Sequence, residues 1–166
     1  MKTYIELQEG LQDPNIFKAF FLAGGPGSGK SHVVRYSTGG TGLRVVNSDD
    51  VFEKYLKDAG LSLKMPPEEW EENQRERKRA KKVTKLRRDN YIEGRIGMVI
   101  DGTGKEYDKI RAQKAELDQL GYDTHMIFVN TSLDVALERN AKRERTVPED
   151  VAITSYNAVQ GNLGKF

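Results

Sequence analysis

Apolar residues in this chain fall in short unbroken runs, separated by longer stretches in which charge dominates. Phe20-Phe21-Leu22-Ala23, Leu43 to Asn47, Met98-Val99-Ile100-Asp101 and Thr124 to Val129 are runs of this kind. Continuous rather than alternating hydrophobicity predicts strands buried on both faces, as in a parallel sheet. The intervening segments have helical spacing. A helix is expected from the residues after Gly29, and another over Val51 to Ala59, stopped by Gly60. A long charged one follows the Met65-Pro66-Pro67 break and runs to about Gly94. Others are expected over Tyr107 to Leu120, capped by Gly121, and over Ser132 to Arg143, with Thr131 or Ser132 as N-cap. Thr146-Val147-Pro148-Glu149 has the spacing of a capping box and predicts the start of a last helix. Residues 1–17 are expected to be a short amphipathic lead-in that ends at the turn signal Asp13-Pro14-Asn15. Strands alternating with helices predict an α/β fold: a mainly parallel sheet of four to five strands, flanked by helices on both faces and joined by right-handed crossovers. One domain over residues 1–166 is expected, with a basic helical insert at about 66–95 and a lid at about 139–148.

In such a fold ligands gather at the C-terminal ends of the strands. Gly24 to Ser31, directly after the first strand, fills every fixed place of the phosphate-binding loop pattern G-x-x-x-x-G-K-S/T. Glycines turn the backbone sharply, so its N–H groups can face phosphate oxygens with a helix N-terminus behind them. Gly24, Gly25, Gly27, Ser28, Gly29, Lys30, Ser31 and His32 are therefore the candidate nucleotide-binding residues. Lys30 is expected to reach the terminal phosphates and the Ser31 hydroxyl to ligate magnesium. The loop predicts a nucleoside triphosphate site of the P-loop NTPase class, with Mg2+ as the expected metal.

Phosphoryl transfer also needs an acceptor-orienting group and cations around the transferred phosphate. Asp49 or Asp50, after the second strand, can accept the proton of an incoming hydroxyl, leaving the other to cap the next helix. Asp101 closes the third strand and is a candidate for the metal or the acceptor. Arg139 and Arg143 are four apart on the expected helix and share a face, and Arg145 follows; together they have the form of a lid that clamps the terminal phosphate. Gln74 to Arg88 is the most basic stretch and contains one acid, Glu76. It can grip a polyanion, yet Trp70, Arg77, Ala80, Val83, Leu86 and Tyr91 recur near helical spacing and suggest an apolar stripe beneath solvated charge.

Composition narrows the classes. With 37% hydrophobic and 31% charged residues, the chain has the balance of a globular domain. No apolar run approaches a bilayer's span and no signal peptide begins the chain, so a cytoplasmic protein without membrane attachment is expected. The absence of cysteine excludes disulfide-linked partners and thiolate metal sites. His32 and His125 have no second histidine at metal-binding spacing. A net charge of +2 does not by itself announce nucleic acid.

With these residues in view, the chain resembles the P-loop kinase group that includes phage polynucleotide kinases and zeta-toxin kinases, over residues 19–164. The phosphate loop, Asn47-Ser48-Asp49-Asp50, and Arg139 to Arg143 running into Val147 to Val151 resemble the polynucleotide kinases. That resemblance implies Asp49 as general base and Arg143 as the lid arginine. Asp101-Gly102-Thr103-Gly104 is closer to the zeta-toxin kinases, which carry Glu-Gly-Thr-Gly there and phosphorylate a UDP-amino-sugar. The chain departs from the polynucleotide kinases at Phe52, where they have an arginine for the acceptor's phosphate. The basic insert offers a cation from another direction. The implied activity is γ-phosphoryl transfer from ATP to a hydroxyl, the 5′-OH of a polynucleotide or nucleotide; a nucleotide sugar of the UDP-amino-sugar type is the alternative acceptor. An ATP-binding nucleic-acid adaptor without catalysis is a third reading, opposed by Asp49 and the paired arginines.

Overall fold

The computed structural model describes residues 15–37 and 39–166; most of the lead-in expected over residues 1–17 lies outside them. Four strands, β1 (Lys18–Ala23), β2 (Arg44–Val46), β3 (Met98–Asp101) and β4 (Asp123–Phe128), form one sheet in the order β2-β3-β1-β4 with every pairing parallel. The apolar runs form strands because the two central ones bury almost everything: Ala19, Ala23, Met98 and Val99 are fully buried. Leu22 is level with Asp101, Val46 with Ile100 and Ala23 with Phe128. The chain therefore leaves the strands along one edge of the sheet at Gly24, Asn47, Gly102 and Val129.

The helices are α1 (Lys30–Ser37), α2 (Ser48–Asp58), α3 (Trp70–Glu93), α4 (Tyr107–Gln119), α5 (Leu133–Ala141) and α6 (Glu149–Gln160), with a 3-10 turn over Pro67–Glu69. Ser132 caps α5 by accepting the Val135 N–H, as expected. The capping box expected at Thr146 does not form. Pro148 is the N-cap of α6, with no side-chain cap, so Thr146 stands too early in the chain to serve.

Two cores hold these layers. Ala19, Phe21, Val46, Met98, Leu117 and Tyr122 pack one face of the sheet against α4, while Val51, Phe52, Leu56 and Ala80 join α2 to α3. The stripe expected along α3 is only partly realised: Ala80 is buried, but Trp70 and Leu86 are 62% and 54% exposed. Long cationic side chains replace the missing apolar ones. The Arg77 guanidinium lies 4.7 Å from the centre of the Phe52 ring, and that of Arg79 lies 4.3 Å from Tyr55. A guanidinium over an aromatic face contributes ~0.5–2 kcal/mol and its stem covers apolar surface, so α3 docks with little hydrophobic area of its own. Further along α3, buried Arg88 donates to Glu116 of α4 at 2.6 Å.

Candidate active site

The phosphate loop is fixed from below by backbone. Gly24 N–H donates to Thr103 O at 2.9 Å and Val129 N–H to Ala23 O at 2.8 Å, which ties the end of β1 to the turns after β3 and β4. Gly27 has φ 79°, and a Cβ there would collide with the Ala136 carbonyl oxygen of α5. Glycine is thus required twice at this position, for its dihedral angle and for its contact. Lys30 Nζ donates to Gly24 O at 2.6 Å and to Gly25 O at 3.2 Å, strapping the loop. Burial lowers its pKa, while Asp101 and Asp49 pull it upward and Arg143 lowers it further.

A cleft of about 840 Å3 opens over this loop. Pro26 to Ser31 form one wall, Asn47 to Asp50 and Asp101 to Thr103 the floor, and α3 with the segment after α5 the far side. His32, included among the candidate nucleotide-binding residues, is outside the lining. Its exposed imidazole lies tilted against the Tyr36 ring with centroids 4.3 Å apart, and its backbone N–H donates to Gly29 O, because α1 has already turned the side chain away. Gly24 and Gly25 lie beneath the cleft, contributing their carbonyls to Lys30.

Neither acid of the Asp49-Asp50 pair caps α2, contrary to the expectation that one would. Asn47 takes that position, its side chain accepting the Asp49 N–H at 2.8 Å. Both aspartates are then free to stand in the first turn, where the helix dipole favours negative charge. The Asn47 amide also donates to Asp50 at 3.1 Å and to Asp101, 54 residues further on, at 3.0 Å, linking the two acids. Burial raises the pKa of Asp101, opposed by Lys30 and reinforced by Asp50 and Asp49. The pKa of Asp50 is raised by burial first and by Asp49 and Glu53 after it.

The arginines converge by a different route from the one expected. α5 ends at Ala141, so Arg143 does not share its face with Arg139 but sits in the following loop. Both still line the cleft, and Arg139 reaches the phosphate loop beside Gly29. Arg145 is 6% exposed and pairs with the 58%-exposed Asp49 at 3.2 Å. An ion pair with one partner this open contributes only ~0–1 kcal/mol, so the contact orients the Asp49 carboxylate while leaving it reachable from the cleft. The loop carrying both arginines is pinned by Asn140: its Nδ2 donates to Val147 O at 2.7 Å and its Oδ1 accepts the Val147 N–H at 3.1 Å. Asn140 was not anticipated, since nothing in a lone helical asparagine signals a partner seven residues on. Asn162 was missed likewise; its amide donates to Gly104 O and Lys105 O, at 3.1 and 3.0 Å, and steadies the turn after Asp101.

Ser31 and Asp101 both line the cleft. A hydroxyl and a carboxylate are hard oxygen donors, the kind magnesium takes together with phosphate oxygens and water. Among the described residues no cluster of three or more His, Cys, Asp or Glu could cage a metal.

The fold is similar to that of several solved structures. A component of the Pnkp1/Rnl/Hen1 RNA repair complex is 19% identical with a TM-score of 0.68, over 91% of this chain and 46% of that one. A component of the PezAT chromosomal toxin-antitoxin system of Streptococcus pneumoniae is 18% identical with a TM-score of 0.59, over 75% and 51%. A gluconokinase from Sinorhizobium meliloti is 15% identical with a TM-score of 0.51, over 90% and 79%. The chain spans about half the length of the first two. No curated protein sequence matches. The fold is that of the P-loop kinases, and the family model described as Zeta toxin matches residues 4–166. This chain belongs to the zeta toxin family.

Proposed function

We propose that this protein is a magnesium- and ATP-dependent kinase that transfers the γ-phosphoryl group to the hydroxyl of a nucleotide-class acceptor, first of all the 5′-OH of a polynucleotide or nucleotide. One observation carries the reading: Lys30, Asp49, Asp101, Arg139, Arg143 and Arg145, drawn from five separate segments, all border one cleft over the phosphate loop. Lys30 and the loop amides hold the phosphates of ATP. Asp49, oriented by Arg145, accepts the proton of the attacking hydroxyl. Arg139 and Arg143 offset charge that builds on the transferred group. Ser31 and Asp101 would hold magnesium, which would supply positive charge to offset that of the phosphates. Such a protein works where ATP is supplied, in the cytoplasm.

The exposed cations Lys78, Lys81, Lys82 and Arg87 run along α3 away from the cleft and support a polynucleotide acceptor. A second reading, a nucleotide sugar of the UDP-amino-sugar type, is favoured by Asp101 to Gly104 and by the family match. Incubation with labelled ATP and a panel of 5′-OH oligonucleotides and UDP-sugars tests both. Label should pass to one class, and Asp49→Asn should reduce that transfer ~100- to 10,000-fold while MgATP still binds. Undiminished turnover by this variant would remove the assigned base, and absence of transfer to any hydroxyl would remove the activity.

A further inference from the structure

The wall of the cleft opposite the phosphate loop contains a polar side chain with no task in the mechanism above. Asn73, on the first turns of α3, lines the cleft and is 2% exposed. Its carboxamide oxygen and nitrogen are both withdrawn from solvent, and neither has a hydrogen-bond partner. Buried carboxamides are nearly always satisfied. Asn140 and Asn162, equally buried here, use theirs on backbone groups. Asn73 thus presents an acceptor beside a donor to whatever enters next to it. The ligand that matches both is a planar group with N–H adjacent to a carbonyl or ring nitrogen, which is the edge of a nucleobase.

The surroundings agree. Trp70, one turn before Asn73, lines the same cleft with its indole 62% exposed, a flat face on which a base can stack. Arg77, one turn after, and Lys64 line it too and can meet a phosphate. The Arg77 guanidinium is held over the buried Phe52 ring, so the cation absent at position 52 is offered from α3. We infer that Asn73 is the residue that recognises the base of the acceptor, with Trp70 as its stacking platform. This rests on the reading that the far half of the cleft receives the phosphoryl acceptor.

The test measures binding to the full chain with saturating MgADP, so that the phosphate loop is filled, using UMP, AMP and base-free ribose 5-phosphate as probes. Wild type should prefer the two nucleotides by about tenfold or more, a tenfold ratio being about 1.4 kcal/mol. Asn73→Leu, close in size but unable to pair, should cut the preference severalfold while leaving MgADP affinity unchanged. It should melt at or above the wild-type temperature, because an unpaired buried amide has been replaced by an apolar group. Asn73→Asp keeps the shape, loses the donor, and should cut the preference as well, which covers failure of the leucine variant to fold. Oligouridylate with a 5′-OH and UDP-glucose separate a polynucleotide source of the base from a nucleotide-sugar source. Equal binding of ribose 5-phosphate and nucleotides by wild type, or a preference undiminished in the variants, would overturn the inference. Labelled phosphoryl transfer is read separately: transfer that proceeds with an Asn73-independent KM defeats this inference alone, whereas Asn73-dependent binding without transfer defeats only the kinase reading.

Discussion

The two walls of the cleft are built on different principles. The phosphate-loop wall is made of backbone: carbonyls hold Lys30, N–H groups root the loop in neighbouring turns, and glycine at 27 lets it lie against α5. The opposite wall is made of side chains from α2, α3 and the loop after α5, held by an ion pair, an asparagine clamp and guanidinium groups over aromatic rings. A backbone cradle has few solutions and serves any triphosphate. A wall of side chains can be rebuilt residue by residue, so acceptor choice is expected to reside there.

This contrast can be broken at the loop first. Gly27→Ala sets a Cβ against the Ala136 carbonyl and forces a left-handed backbone on alanine. The strain alone is ~1–3 kcal/mol, so MgATP affinity should fall ~10- to 100-fold by calorimetry. Acceptor KM should change far less; equal losses on both sides would erase the distinction between the walls.

The far wall gives a smaller and different response. Asn140→Ala leaves the Val147 N–H and C=O without partners, which should lower stability by ~1–3 kcal/mol in a urea melt. The loosened loop holds Arg143 and Arg145, so turnover should drop while MgATP affinity stays within about twofold. Intact turnover in the folded variant would show that the clamp does not position the arginines.

The smallest expected effect is on pH dependence. Asp50 raises the pKa of Asp101, and burial raises it more. Asp101 must be ionised to meet a cation, so the acidic limb of the rate profile should lie above the ordinary carboxylate range. Asp50→Asn removes a negative neighbour, lowers the Asp101 pKa, and should move that limb toward lower pH. A shift toward higher pH, or none, would mean that Asp101 does not set the limb. The folding side has the same sign: a carboxyl whose folded pKa is raised favours the native state below its unfolded pKa, and that contribution is lost as pH rises through the folded value. Asp50→Asn should therefore flatten the loss of stability between the acid range and neutrality.

The phosphate loop, the strands, Asp49 and Asp101 were legible in the chain because each depends on local composition: an apolar run dictates a buried strand, and glycines with one lysine dictate the loop. The lid was legible only in part. Arg139 and Arg143 were expected on one helical face, but α5 stops at Ala141 and Asn140 bends the chain back, so Arg145 makes the contact with Asp49. For α3 the 3.6-residue period pointed to an apolar stripe, whereas Trp70 is left exposed and Asn73 is buried at the cleft. Periodicity reports which residues share a face and is silent on what that face meets.

By itself, then, the amino-acid sequence determined that this protein has a parallel α/β fold with a phosphate loop and acids at the ends of its strands, since short-range sterics and hydrophobic burial act on neighbours in the chain. Only the tertiary structure decided that Asn47 gathers Asp50 and Asp101, that Arg145 rather than a helical pair meets Asp49, and that Asn73 borders the cleft with no partner. Those contacts join residues from distant segments, and their geometry is fixed by how the helices dock on the sheet, a property that no single stretch of the chain encodes.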